Sequence, residues 1–184
     1  MRKMNIVAAM ASNRGIGCNG DLPWRLKKEF KHFTSLIRRL DDPSKKNAVI
    51  LGRKTWESVP ATSRPIKGKI NVIVTSQADY TASGEDVYVA HSLEEAMTLL
   101  SSPPLSDTVE TVWNLGGSYI YKEAIDKKLV DKMYLTRIRK EFDADVFFPL
   151  YSDDDFEPAS DPDVPSEVQE ENGVEWTYHV LKMK

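Results

Sequence analysis

A single α/β domain over residues 1–184, built on a mostly parallel central β-sheet with flanking helices, is the fold that this sequence predicts. Two observations predict it. Short apolar runs alternate with helix-like stretches along the chain, the order that builds parallel sheets. Four of the runs lead straight into loops that open at Gly15, Gly52, Thr75 and Gly116. In a parallel sheet such loops gather beyond the carboxyl ends of the strands, where ligands bind.

The elements follow in order. Residues 5–11, with Ile6 and Val7, read as a strand buried on both faces. After a glycine loop, Leu26, Phe30, Phe33 and Ile37 recur on one face at about 100° per residue, which predicts a helix reaching to about residue 40. Lys27, Lys28, Lys31 and His32 fall on its other side, and Glu29 lies at the edge of the apolar face. Residues 41–46, DDPSKK, break the helix. Strands are predicted over 48–51, 70–74, 87–90 and 111–115, with helix starts at Arg53 and near Ser118. Ser92 with Glu95 three residues on is a capping box. Residues 132–140 and 174–181 are the late strands. The segment 152–172 carries Asp153-Asp154-Asp155 but lacks the glycine of a calcium loop, so it reads as a solvated surface loop.

Composition narrows the function. A net charge of −3 gives no electrostatic reason to expect nucleic acid or a membrane surface as partner. The one cysteine, Cys18, excludes an intramolecular disulfide and suits a reducing, cytoplasmic setting. No apolar run approaches the roughly 18 residues that would span a bilayer. His32, His91, His179 and Cys18 have no zinc spacing, and no nucleophile signature is present, so no metal site is expected.

Three features remain that can carry chemistry. Gly15, Gly17 and Gly20, followed by Pro23 and Trp24, suit a lid that closes over a ligand; Asn19-Gly20 is equally a hairpin signal. Gly52-Arg53-Lys54-Thr55 and Leu115-Gly116-Gly117-Ser118 each place backbone amides at a helix start after a strand, where a phosphate can be held. Neither has the Walker or the Rossmann spacing. Glu29 is the third: a carboxylate at the rim of an apolar stripe has a raised pKa unless it is satisfied, although a surface pair with Lys28 or Lys31 would also account for it. A lid, two anion sites and one half-buried acid together describe a dinucleotide-dependent enzyme, with hydride chemistry carried by the cofactor.

The stretch GIGCNGDLPWRLKKEFKHF from Gly15 to Phe33 resembles dihydrofolate reductase, whose pattern reads closely as IGxNGxLPWxLxxExxxF. The resemblance continues through Gly52-Arg53-Lys54-Thr55-Trp56, Arg64-Pro65, Gly116-Gly117, Thr136 and Phe147-Phe148-Pro149. It implies that fold, with an antiparallel C-terminal strand, and hydride transfer from NADPH to C6 of dihydrofolate. Glu29 would orient the pterin, supported by Thr136, Trp24 and, in the lid, Leu22. Val7, Ala8, Leu26, Phe30, Phe33, Ser58, Val59, Ile66, Leu115 and Tyr121 would line the substrate site. Lys69 stands where the family usually has an arginine that clamps the substrate carboxylate. Ala9, Ile16, Gly20, Asp21 and Leu22 would border the nicotinamide side. Arg53, Lys54, Thr55 and the run Gly116, Gly117, Ser118, Tyr119 and Ile120 would hold the pyrophosphate, Thr75 and Ser76 beside Arg53 the adenosine 2′-phosphate, with Val74 also on the cofactor and His91 near the adenosine. The same resemblance implies antifolates as ligands and a monomer. A reductase of the riboflavin pathway on the same fold, or a catalytically silent nucleotide-binding module, are the alternatives; retention of Glu29, Trp24 and Gly116-Gly117 argues against both.

Overall fold

The computed structural model describes residues 2–184. Its strands are β1 (Met4–Met10), β2 (Gly15–Gly17), β3 (Lys46–Gly52), β4 (Ile70–Val74), β5 (Val87–Ala90), β6 (Val109–Asn114), β7 (Val130–Ile138), β8 (Val146–Phe147), β9 (Phe156–Ala159), β10 (Gln169–Glu171) and β11 (Val174–Met183). Its helices are α1 (Lys27–Arg38), α2 (Arg53–Ser58), α3 (Leu93–Leu100), α4 (Leu105–Thr108) and α5 (Ser118–Asp126).

One sheet runs in the order β10-β11-β7-β1-β6-β3-β4-β5, with β9 also pairing β11, and a separate pair joins β2 to β8. From β7 to β5 every neighbour is parallel, and β11 then lies antiparallel to β7. The expected mostly parallel sheet with an antiparallel C-terminal strand is therefore present.

Alternation along the central strands explains why they are apolar throughout. Met4, Ile6, Ala48, Ile50 and Val72 point to a core shared with α3 and α5. Val7, Val49, Leu51, Ile73 and Trp113 point to the opposite face, against α1 and α2. A strand covered on both faces has no position for a solvated side chain. Trp113 is 1% exposed and packs edge-on to Tyr134 at 5.2 Å, so truncating it to alanine costs about 3–5 kcal/mol.

Helix α1 departs from the expected face. Its inward stripe is Glu29, Phe33, Leu36 and Ile37, while Phe30 is 54% exposed. The helix is rotated so that the acid itself takes a core position instead of the rim. His32, on the side opposite the expected apolar stripe, is half-buried and stacks on Tyr178 at 3.9 Å between centroids. Both ends of α1 are held from outside the helix. Asn47, 2% exposed, donates from Nδ2 to the carbonyls of Ile37 (2.9 Å) and Arg39 (2.7 Å). At the start, Leu26 offers no side-chain cap, and the carboxylate of Glu171 accepts from the amides of Lys27 (2.9 Å) and Lys28 (2.7 Å).

The segment 152–172 is likewise more than a solvated loop. It contributes β9 and β10, and Asp161 within it pairs with Arg39 at 2.8 Å and accepts from the Tyr134 hydroxyl at 2.8 Å. Scattered polar residues concealed its ordering, because the contacts that order it lie on other elements.

Candidate active site

The buried acid defines one side of the site. Glu29 sits in the first turn of α1, 7% exposed, and Thr136 of β7 donates to its Oε1 at 2.8 Å. Burial raises its pKa above the ordinary carboxylate value, and the Thr136 hydrogen bond acts partly against that shift. Val7 and Ala9 come next on β1, Ala9 in register with Thr136. A small cavity at the acid is lined by Val7, Glu29, His32, Tyr134, Thr136 and Tyr178. Burial lowers the pKa of His32, and the charge of Arg39 lowers it further, with Asp161 opposing.

Phe30 and Leu22 are exposed, while Leu26 is buried and Phe33, Ile66 and Leu115 pack on the apolar clusters behind them. Such exposed aromatic and aliphatic side chains around one buried polar group are the usual make-up of a small-molecule cleft. Ser58 and Val59 close the C-terminal end of α2 nearby. Trp24 is 5% exposed and meets Phe142 edge-on at 5.6 Å, in a cluster with Leu26 and Trp176. Lys69 is half-buried with its pKa lowered, first by burial and then by the charge of Arg38.

Glycines and helix starts make the other side. Gly52 ends β3 and Gly116 lies two residues beyond the adjacent β6, and the Gly52 amide donates to the Gly116 carbonyl at 2.7 Å. Gly116 has φ +89°, and a Cβ there would lie 2.6 Å from the ring of Tyr121. The Gly116-Gly117 peptide is cis. Asn114, wholly buried, accepts from the Gly116 amide at 2.9 Å and donates to the Ile120 carbonyl at 3.2 Å. Neither α2 nor α5 has a side-chain cap at its N-terminus. Two uncapped helix starts side by side, with Thr55 next to Gly117 and Lys54 exposed, fit a pyrophosphate.

Several assigned residues are already engaged in this state. Arg53 pairs with Glu57 on its own helix at 2.7 Å. Thr75, 7% exposed, accepts from the Gln77 amide at 3.1 Å, and its carbonyl meets His91 Nδ1 at 3.1 Å; Ser76 follows, exposed. Tyr121, expected along the substrate site, is 5% exposed and its hydroxyl donates to the Val7 carbonyl at 2.9 Å. Tyr119 points outward, 87% exposed.

The glycine loop expected to act as a lid lies beside the glycine side. Asn19 and Gly20 both have positive φ, and Cys18 and Asp21 exchange backbone bonds across them, so the Asn-Gly signal is a hairpin turn within the lid. Strand β2 pairs with β8, the Asn19 amide donates to Asp145 at 3.0 Å, and Ser118 donates to the Phe147 carbonyl at 2.7 Å. Asp21 holds the Leu22 amide at 2.7 Å. Ile16 packs against the core beside it.

Sequence reasoning missed Asn114, Tyr178 and Glu171. An amide inside the apolar run Val-Trp-Asn-Leu was the available signal for Asn114; the other two carry no local one.

A single buried acid facing an apolar cleft, beside strand ends shaped for a dinucleotide, defines the class: a reductase that holds a flat nitrogen heterocycle against a hydride-carrying cofactor. The family model described as dihydrofolate reductase matches residues 3–183. Dihydrofolate reductase of Sus scrofa is 40% identical over 99% of this chain and 98% of its own. That of Aedes albopictus is 39% identical over 99% and 98%. The solved structure of Schistosoma mansoni dihydrofolate reductase superposes with a TM-score of 0.86 at 35% identity, covering 100% of this chain and 99% of that one. The chain belongs to the dihydrofolate reductase family.

Proposed function

We infer that the chain is an NADPH-dependent enzyme reducing 7,8-dihydrofolate to 5,6,7,8-tetrahydrofolate, and that residues 1–184 work as one domain and as a monomer. The observation that carries this reading is Glu29: a carboxyl with raised pKa, 7% exposed, held by Thr136 at the head of an apolar cleft. A ligand that presents donors to that carboxyl makes charge-assisted hydrogen bonds in a dry place, and the amino-pyrimidine edge of a pterin does so.

When bound, NADPH supplies the hydride that reduces C6. Glu29 orients the ring through its 2-amino group and N3. The Val7 carbonyl, positioned by Tyr121, and the Leu115 carbonyl border the opposite edge of the ring. Phe30, Phe33, Leu26 and Ile66 wall the rest of the substrate. Leu22 and Trp24 close over the reacting atoms and limit water. The proton for N5 comes from solvent admitted beside Glu29, because the carboxyl that orients the ring has no direct path to N5. Lys69, with Arg38 close enough to lower its pKa, is the cation for the substrate carboxylate. Arg53, Lys54, Thr55, Thr75 and Ser76 face the cofactor phosphates; opening the Arg53–Glu57 pair frees the guanidinium for the 2′-phosphate. Antifolates that mimic the pterin edge occupy the same cleft. No helix among the described residues is long and apolar enough to cross a membrane.

Loss of NADPH absorbance on adding dihydrofolate, repeated with NADH, tests the reading. Turnover with NADPH and little with NADH supports it in full. Equal rates would remove the 2′-phosphate assignment, and no turnover with either would refute the reductase.

A further inference from the structure

The helix that carries Glu29 has no cap of its own. Leu26 at its N-cap position makes no side-chain hydrogen bond, and the residues that normally fill this role are Ser, Thr, Asp and Asn. The cap is supplied from 143 residues away. Glu171 Oε2 accepts from the Lys27 amide at 2.9 Å, and Oε1 accepts from the Lys28 amide at 2.7 Å.

The Glu171 carboxylate is delivered by a rigid device. Strands β10 and β11 are joined by Asn172 and Gly173, with φ +53° and +79°, and Glu171 pairs with Val174 across that turn. The Gly173 amide is in turn held by Glu170 at 2.6 Å. Lys28 lies over the Trp176 ring at 6.0 Å, and Trp176 is wholly buried in the cluster that includes Leu26 and Trp24. The hairpin therefore fixes both the direction and the height of the first turn of α1.

Glu29 immediately follows the two amides that Glu171 occupies. Free amides at a helix start stabilise a carboxylate in the first turn, and occupied ones do so far less. The other groups that face Glu29 are Thr136 and Tyr134 from β7, Tyr178 and His179 from β11, and His32 of α1, on which the Tyr178 ring stacks. Asp21 and Arg25 in the lid pair with each other at 2.6 Å. Arg39 and Asp161 bear on His32 from the far end of the helix.

We propose that Glu171 is a positioning residue for the reductase: by taking the Lys27 and Lys28 amides, it sets the placement of Glu29 and withholds the helix start from the Glu29 carboxyl. Removing Glu171 frees the two amides at the helix start, and that change favours the ionised form of Glu29.

The proposal rests on the reductase reading, so its test has one readout that needs no turnover. Carbon NMR titration of the Glu29 carboxyl in the native chain, Glu171→Gln and Glu171→Ala gives the first. The midpoint falls by roughly half a pH unit in Gln and further in Ala. The KM for dihydrofolate rises roughly threefold to tenfold while that for NADPH stays unchanged. A midpoint and a dihydrofolate KM that both match the native chain in a folded variant would overturn the proposal, however far Tm falls. If Glu171→Ala does not fold, Glu171→Gln decides alone, since it keeps an oxygen for one amide and loses the charge. A native chain without dihydrofolate reduction refutes the reductase reading, and the titration then judges Glu171 by itself.

Discussion

The two sides of the cleft are built on opposite principles. On the acid side one side chain is buried in the protein interior, and its surroundings are already complete: Thr136 on its oxygen, Glu171 and Asn47 at the ends of its helix. On the glycine side almost nothing is buried that could bind. The groups on offer are backbone amides at two uncapped helix starts, and exposed side chains such as Lys54 and Ser76. The difference separates orientation from attachment. A charge held in a low-dielectric place is strong but costly, so it is fixed before the ligand arrives. Amides at helix starts are cheaply solvated when empty and hold phosphate without rearrangement.

Breaking the point where the sides meet has the largest expected effect. Gly116→Ala puts a Cβ 2.6 Å from the Tyr121 ring at φ +89°, and Tyr121 holds the Val7 carbonyl. We expect a loss of about 3 kcal/mol in stability by chemical denaturation and no measurable binding of either ligand. Next is Glu29→Gln, which removes the acid and leaves the other side intact. Single-turnover hydride transfer at neutral pH falls about a hundredfold or more, with NADPH binding retained.

The same variant carries a pH signature. Because burial raises the pKa of Glu29, the folded chain binds that proton more tightly than the unfolded chain. The stability it contributes is complete below the unfolded value and is lost as pH rises through the folded one. The Tm of Glu29→Gln therefore gains on that of the native chain as pH rises from the ordinary glutamate range through the raised folded value.

Thr136→Val keeps the shape and removes one hydrogen bond. The KM for dihydrofolate rises about tenfold and that for NADPH does not move. Ser118→Ala is the converse on the glycine side, cutting the bond to the Phe147 carbonyl. It raises the KM for NADPH about threefold and leaves dihydrofolate unchanged. A variant that moved both constants together would show that the two sides are not separable.

The glycine side was the more legible in the sequence. Its parts are loops after apolar runs, and β4 and β5 lie where the runs end at Thr75 and His91. The acid side was legible in its central residue and not in its support. Glu29 stood out on an apolar helix, yet the rotation that buries it and exposes Phe30 depends on packing against Trp113 and Val7, which periodicity within one helix does not encode. Glu171 and Asp161 lay in a stretch read as solvated. Asn172-Gly173 carries the same hairpin signal as Asn19-Gly20, but nothing local to it shows that the hairpin caps a helix far away in the chain.

Glu29 is a buried acid held ready before any ligand binds. Titrating its carboxyl by carbon NMR in the ligand-free protein checks this. We expect a midpoint clearly above the ordinary glutamate range, rising further in Thr136→Val. A midpoint at the ordinary value, unmoved by Thr136→Val, would instead place Glu29 in contact with water.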